Sequence, residues 1–304
     1  MIFKQRTKSD ELIIFEFLNK RTELSSKDKQ YYTNLKKGFE GELLFDSLTA
    51  KLQCDCLILN DLLLEVNNTT FQIDTSIFID GKLHFYEVKN FEGDYYYESN
   101  KLFKKPKHEI SNPLLQLSRS ESLLSQLLRT HGCYLPIDGS VVFINPTFTL
   151  YQAPLNLQTL FPSQINNYMR TLDATPSKIN EKQKRVADLL VSLHITKSPY
   201  TKVPSYRYEG LRKGISCAMC DSFSVVIEGR KCKCEKCGHK ELVSDAVIRA
   251  VREFMILFPD QKITTNIIYE WCQVVPTKKW IRQILARNFK IEGIHQWAYF
   301  EINN

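Results

Sequence analysis

The chain of 304 residues lacks any apolar run of the roughly 18 residues that a membrane-crossing helix needs. Glycine and proline number only 11 each, no segment repeats, and none is low in complexity. These absences exclude a collagen-like rod, a coiled coil and a wholly disordered chain. The N-terminal MIFKQRTKSDELIIF has no hydrophobic leader stretch, so the expected location is the cytoplasm, with no membrane partner. Hydrophobic residues at 43% and charged residues at 25% fit a globular protein of about two domains.

Charge is unevenly spread. Residues 1–170 carry 19 basic and 20 acidic side chains, whereas residues 171–304 carry 22 and 14. A basic C-terminal part suits a polyanion; a solvated basic surface is the plainer alternative. Five of the nine cysteines (Cys217, Cys220, Cys232, Cys234 and Cys237) fall within 21 residues. In a reducing compartment that clustering points to metal rather than disulfides.

Periodicity predicts helices over 8–23 and 31–52, the second with Leu35, Phe39, Leu43 and Leu48 on its apolar face. Strands are expected at 56–66, 71–80 and 82–90, with turns at Asn67-Asn68 and Asp80-Gly81. A helix over 111–129, a buried strand over 140–145 and a short helix near 163–172 complete an α/β pattern. Beyond a boundary near Thr175-Pro176 come a helix over 180–194, a linker over 197–210, the cysteine segment 214–242 and a final block 243–304.

The most informative stretch is 71–90. With Asp80-Gly81 as a two-residue loop, Ile79 faces Lys82, Asp74 faces Glu87 and Gln72 faces Lys89, all four of the last on one sheet face. Ile73, Ile77, Ile79, Phe85 and Val88 are expected on the other face. Two carboxylates directly across a hairpin repel, and a divalent cation between them, Mg²⁺ or Mn²⁺, turns that conflict into binding. Lys89 would then place an ammonium beside the metal. A solvated hairpin with an incidental acid pair is the alternative.

Asp74 followed by Glu87-Val88-Lys89 resembles the core of the PD-(D/E)xK nuclease superfamily. Gly38-Phe39-Glu40-Gly41-Glu42, Gln72-Ile73-Asp74, Glu87-Val88-Lys89-Asn90 and Asn112-Pro113-Leu114-Leu115-Gln116 together resemble its nuclease-related (NERD) branch, over roughly residues 31–145. The resemblance implies a restriction-endonuclease-like α/β fold with Asp74, Glu87 and Glu42 as metal ligands. It also implies Lys89 as the catalytic lysine and Gln116 as a helper near the phosphates. On residues alone, Glu42 and Gln116 also read as ordinary surface positions of helices.

Cys217-Ala218-Met219-Cys220 and Cys234-Glu235-Lys236-Cys237 have the spacing of two zinc knuckles, with 222–229 as a ribbon strand between them. Cys232 and His239 remain alternative Zn²⁺ ligands. The final block offers helices over 244–257 (capped by Ser244), 264–272 and 276–288 (Pro276 in its first turn), then a hairpin over 289–301 turning at Glu292-Gly293. This order resembles a winged helix-turn-helix, whose third helix would offer Lys278, Lys279, Arg282, Gln283 and Arg287 to a major groove.

The domains expected are therefore an N-terminal helix (1–30), a nuclease-like domain (31–172), a helical linker (173–212), a zinc ribbon (213–242) and a winged-helix-like α+β domain (243–304). The expected function is metal-dependent phosphodiester hydrolysis, with double-stranded DNA as the nucleic-acid partner and RNA left open. A non-catalytic DNA-binding or regulatory protein on a nuclease-like fold is the alternative. A homo-oligomer is compatible with the sequence.

Overall fold

A computed structural model of the chain describes residues 1–197, 200–294 and 297–302. Ser198 and Pro199 of the expected linker, and His295 and Gln296 of the expected hairpin, lie outside the described residues, as do the last two residues. The fold is mixed α/β, in two compact units: residues 1–8 with 33–201, and residues 9–32 with 202–304. A short strand, β1 (Ile2–Lys4), is followed by helices α1 (Asp10–Arg21) and α2 (Ser26–Thr49). The division between the units falls inside α2.

The first unit is built on strands β2 (Leu57–Val66), β3 (Thr69–Ile79) and β4 (Lys82–Lys89). Both hairpin turns place two consecutive residues at positive φ, Asn67-Asn68 and Asp80-Gly81, as tight turns between right-twisted strands require. Next come the short strands β5 (Gly93–Glu98), β6 (Lys101–Lys104) and β7 (His108–Ile110), and helix α3 (Pro113–Thr130). Strands β8 (Ile137–Phe143), β9 (Phe148–Tyr151) and β10 (Thr159–Leu160) lead to helices α4 (Pro162–Asp173) and α5 (Glu181–Ser192). The main sheet has the order β1-β2-β3-β4-β8-β10, with β8 parallel to β4. A second sheet, β7-β6-β5-β9, had no counterpart in the sequence reading.

Helices cover both faces of the main sheet. Phe45 of α2 and Ile165, Met169 and Leu172 of α4 pack with Ile58, Ile77, Ile79, Tyr86, Val88 and Val142. On the other face, Leu117, Leu124 and Leu128 of α3 and Val186 and Leu190 of α5 meet Leu57, Leu59, Leu62, Phe78, Leu83, Phe85 and Val141. The buried face of α2 runs through Gly41, Phe45 and Thr49, and Leu43, expected inside, is exposed.

Strict alternation also fails, and it fails beside the site. Leu57 and Leu59 enter the α3 core, and so do Leu62, Leu64 and Val66, because Asp61 sits at φ +56° and reverses the face of β2. Across from it, Ile73 shares that core with Phe78 whereas Ile77 and Ile79 enter the other. The expected single apolar face of the hairpin is therefore split on β3, with Ile73 on one side and Ile77 and Ile79 on the other; on β4, Phe85 and Val88 are three residues apart and alternation itself puts them on opposite faces. The break lies at Asp74 and Thr75.

In the second unit a three-stranded sheet, β11 (Val225–Glu228), β12 (Lys231–Cys234) and β13 (Lys240–Leu242), precedes helices α6 (Val243–Leu257), α7 (Thr265–Cys272) and α8 (Lys278–Asn288). Strands β14 (Lys290–Glu292) and β15 (Tyr299–Glu301) pair antiparallel. Leu242, not Ser244, is the N-cap of α6 and gives no side-chain cap bond, and Thr277, not Pro276, opens α8 by accepting from Trp280 N–H. Leu18 of α1, Cys217, Cys232 and Cys234, and the apolar stripes of α6, α7 and α8 form one core. Inside it Arg21 makes a two-pronged ion pair with Glu253 at 2.7 and 2.9 Å and lies 3.8 Å from the Trp271 ring centre. Among the described residues no helix is long and apolar enough to cross a membrane.

Candidate active site

The β3–β4 ladder keeps the expected register from Ile79↔Lys82 to Thr75↔Tyr86 and ends there. Asp74 and Glu87 are the next residue on each strand, both buried. From Glu87 onward β4 continues to pair with β8, and on its β3 side the Val88 N–H donates to Asp74 Oδ2 at 2.8 Å. Gln72 does not face Lys89 across a ladder; its amide donates to Asp61 Oδ1 at 3.0 Å. The β2–β3 ladder skips Asp61 and Asp74, and beside this gap lies a cleft of about 510 Å³. Glu42, Gln72, Asp74, Glu87, Lys89 and Gln116 all line it.

Two helices bring the remaining polar groups. Helix α2 comes close to β4 at Gly41, where an added Cβ would lie 2.6 Å from Asn90 Cβ. That contact requires glycine and carries the next residue, Glu42, to the cleft. Asn90 locks the approach by donating to the Lys37 carbonyl at 2.8 Å, while its own oxygen accepts from Asn145 at 2.9 Å. Asn112 caps α3 by accepting from the Leu114 N–H, and Pro113 occupies the first turn. The start so fixed directs Gln116 Oε1 to within 3.2 Å of Lys89 Nζ.

Lys89 Nζ also lies 2.6 Å from Glu87 Oε1. Burial works against its charge, but Glu87 and Asp74 outweigh burial and hold its pKa above the ordinary lysine value. The carboxylates are pushed the other way. Burial, then the charge of Asp74, raises Glu87 to about 8 although Lys89 opposes it. Burial and Asp74 raise Glu42 to about 7. Asp74 is also raised by burial, despite Lys89 and the Val88 N–H. Desolvation thus raises all three carboxyls, and the charge of Asp74 adds to it at Glu42 and Glu87, against the opposing pull of Arg6 and Lys89; carboxylate oxygens are the hard donors that divalent cations take.

Residues 37–144 match the nuclease-related domain family, NERD. The chain carries a NERD domain. No curated protein and no solved structure matches the chain. The matched span includes the Glu42, Asp74, Glu87, Lys89 and Gln116 cluster and stops at the end of β8.

Arg6 is the residue of this site that the sequence reading missed. It precedes the NERD span and donates to Glu42 Oε2 at 2.6 Å, to Asp46 Oδ2 at 2.8 Å and to the Asp74 carbonyl at 2.7 Å. Glu42 and Asp46, one helical turn apart on α2, are like charges that need such a partner. That pairing was the one signal in the sequence that could have led to a buried cation.

In the second unit the sulfurs of Cys217, Cys220, Cys234 and Cys237 lie within 4.8 Å of one another, a set that could bind zinc. The backbone N–H groups of Cys237 and Lys236 draw the Cys234 thiol down to about 7. Neither alternative ligand belongs to the cluster: Cys232 is buried in the core, which raises its thiol to about 11, and His239 lies on the connecting turn. Lys278, Lys279, Arg282, Gln283 and Arg287 are exposed on α8. The first three border a groove of about 380 Å³ with Thr264, Asn266 and the β14–β15 hairpin.

Proposed function

We propose that the protein is a metal-dependent nuclease that hydrolyses phosphodiester bonds in DNA. The observation that carries this reading is the carboxylate set of buried Asp74 and Glu87 with half-buried Glu42, beside the charged Lys89 in the NERD cleft. Bound between Asp74, Glu87 and Glu42, Mg²⁺ or Mn²⁺ would supply the Lewis acidity that phosphoryl transfer needs. Lys89, held between Glu87 and Gln116, orients the attacking water through Nζ and offsets charge that builds on the phosphoryl oxygens. Gln116 fixes the Lys89 rotamer and offers its amide N–H to a phosphate. Arg6 holds the carboxylate of Glu42 in one orientation, and the Val88 N–H does the same for Asp74.

Metal binding to this site must displace protons, because the metal-free acids hold them to about 7 at Glu42 and about 8 at Glu87. Calorimetric Mn²⁺ affinity should therefore rise from pH 6 to pH 8, by up to about tenfold per pH unit for each proton displaced. An affinity that is flat over this window would contradict assignment of these acids as ligands.

We further propose that α6, α7 and α8 with the β14–β15 hairpin act as a winged-helix element on double-stranded DNA, with the four-cysteine cluster as its structural Zn²⁺ site. Replacing Lys278, Lys279 and Arg282 together by Ala should weaken duplex binding and reduce its salt dependence by up to about three released counterions. Cleavage at saturating DNA should largely remain. Unchanged affinity and salt slope would remove α8 from the interface.

A further inference from the structure

The second sheet of the first unit is not needed to position any of the cleft acids, and its two faces differ. One face is core: Tyr95, Leu102 and Phe148 are buried against the main body. On the other face the register sets four residues in a row across the four strands. Glu109 pairs with Phe103, Phe103 with Tyr96, and Tyr96 with Tyr151. Three neighbouring aromatic rings thus line one sheet face, and none of them is part of a core cluster among the described residues. Phe103 and Tyr96 lie nearly parallel at 5.1 Å, and Tyr151 is 44% exposed.

Charges of both signs flank this row. Of its carboxylates, Glu109 pairs with Lys101 at 3.0 Å, Glu98 lies opposite Lys101, and Asp94 accepts from the Tyr151 hydroxyl at 3.3 Å. Lys105 and Lys107 are exposed and have no ion pair among the described residues, whereas Lys104, opposite Tyr95 in the register, belongs to the other face. Lys105 Nζ sits 3.7 Å from the Tyr151 ring centre. The sheet also joins the cleft: β5 begins four residues after Lys89, and Tyr95 and Lys104 form part of the cleft wall.

We infer that this face binds a single-stranded segment of nucleic acid, its bases stacked on Phe103, Tyr96 and Tyr151 and its phosphates met by Lys105 and Lys107. Rings on a sheet face suit unpaired bases, whose π-faces are accessible only outside a duplex, and exposed ammoniums suit the phosphate backbone. The inference rests on the nuclease reading for its purpose, which is to lead an unpaired strand to or from the cleft, but not for its test.

Binding of a fluorescein-labelled oligothymidylate to the full chain, followed by anisotropy in EDTA so that nothing is cleaved, separates the two. Tyr96→Leu, Phe103→Leu and Tyr151→Leu combined should weaken oligothymidylate binding about tenfold or more, since loss of one stacked base already costs about that. Tyr96→Phe with Tyr151→Phe should bind like the parent, and duplex affinity should be unchanged in both. An oligonucleotide carrying 5-iodouracil should photo-crosslink to Tyr96, Phe103 or Tyr151 of the parent, which decides the matter if the Leu variant misfolds. Parent-like binding by a folded Leu variant, or crosslinks found only elsewhere, would overturn the inference while leaving metal-dependent cleavage intact. Crosslinking at these rings in a protein that never cleaves would sustain the platform and refute the nuclease.

Discussion

Asp74→Asn and Glu87→Gln should each lower DNA cleavage by orders of magnitude while the protein stays folded. Each change removes a ligand charge and keeps the side-chain shape. Folding should survive because the metal-free acids are mutually repelled and desolvated: Glu87 is raised to about 8, so at pH 8 its charge is a burden on the native state. The sign follows from linkage. A carboxyl that holds its proton more tightly when folded loses stability as pH rises from its ordinary value toward the folded one. Glu87→Gln should therefore raise the metal-free melting temperature at pH 8, by about 2–4 °C for each kcal/mol relieved, and have little effect at pH 5. Lys89→Ala should also cut cleavage but retain Mn²⁺ binding, since an ammonium is not a ligand. Duplex affinity should be unchanged in all three. An Asp74→Asn protein that cleaves like the parent would refute the catalytic assignment.

Stripping metal from the four-cysteine cluster should unfold the second unit. Cys217 and Cys234 are at once sulfurs of the cluster and members of the core shared by α1, α6, α7 and α8, so its loss reaches well beyond the ribbon. Structural zinc at such a site contributes about 10–16 kcal/mol at neutral pH, more than the stability of most domains. The readout is selective, because all three tryptophans, Trp271, Trp280 and Trp297, belong to this unit. Chelation, or Cys234→Ser, should shift their emission to longer wavelength. Elemental analysis of protein purified without chelator should give about one zinc per chain. No zinc, or emission unchanged by chelation, would contradict this role.

The legible parts of the fold and site were those set by short-range rules. Asp80-Gly81 is a turn whose chemistry fixes the register of its own hairpin, so the places of Asp74 and Glu87 could be read from eight or so neighbouring residues. The paired Cys-x-x-Cys knuckles are equally local, since a tetrahedral ion demands their spacing. Gln116 came only with the resemblance to the NERD branch; from its neighbours alone it reads as a surface position, and it is Asn112 and Pro113, by fixing where α3 starts, that bring it to Lys89. Other features depend on contacts between distant segments and leave no periodic trace. Arg6 reaches Glu42, Asp46 and Asp74 across 36 to 68 residues, and Arg21 reaches Glu253 across 232. The face reversal at Asp61 turns on one residue at positive φ, which period-two counting cannot register. Leu43 shows the same limit from the other side: apolar and well spaced, it is exposed because close approach at Gly41 sets the rotation of α2.

Whether the NERD cleft cuts phosphodiester bonds is read directly from cleavage by the purified parent chain. Labelled linear duplex and supercoiled circular DNA are incubated with the protein in Mg²⁺, in Mn²⁺ and in EDTA, and the products are separated on a denaturing gel. Shortened or nicked products are expected with either metal, and intact DNA in EDTA. DNA that is retarded on a native gel yet remains uncut with both metals would contradict that expectation and leave a binding protein on a nuclease-like fold.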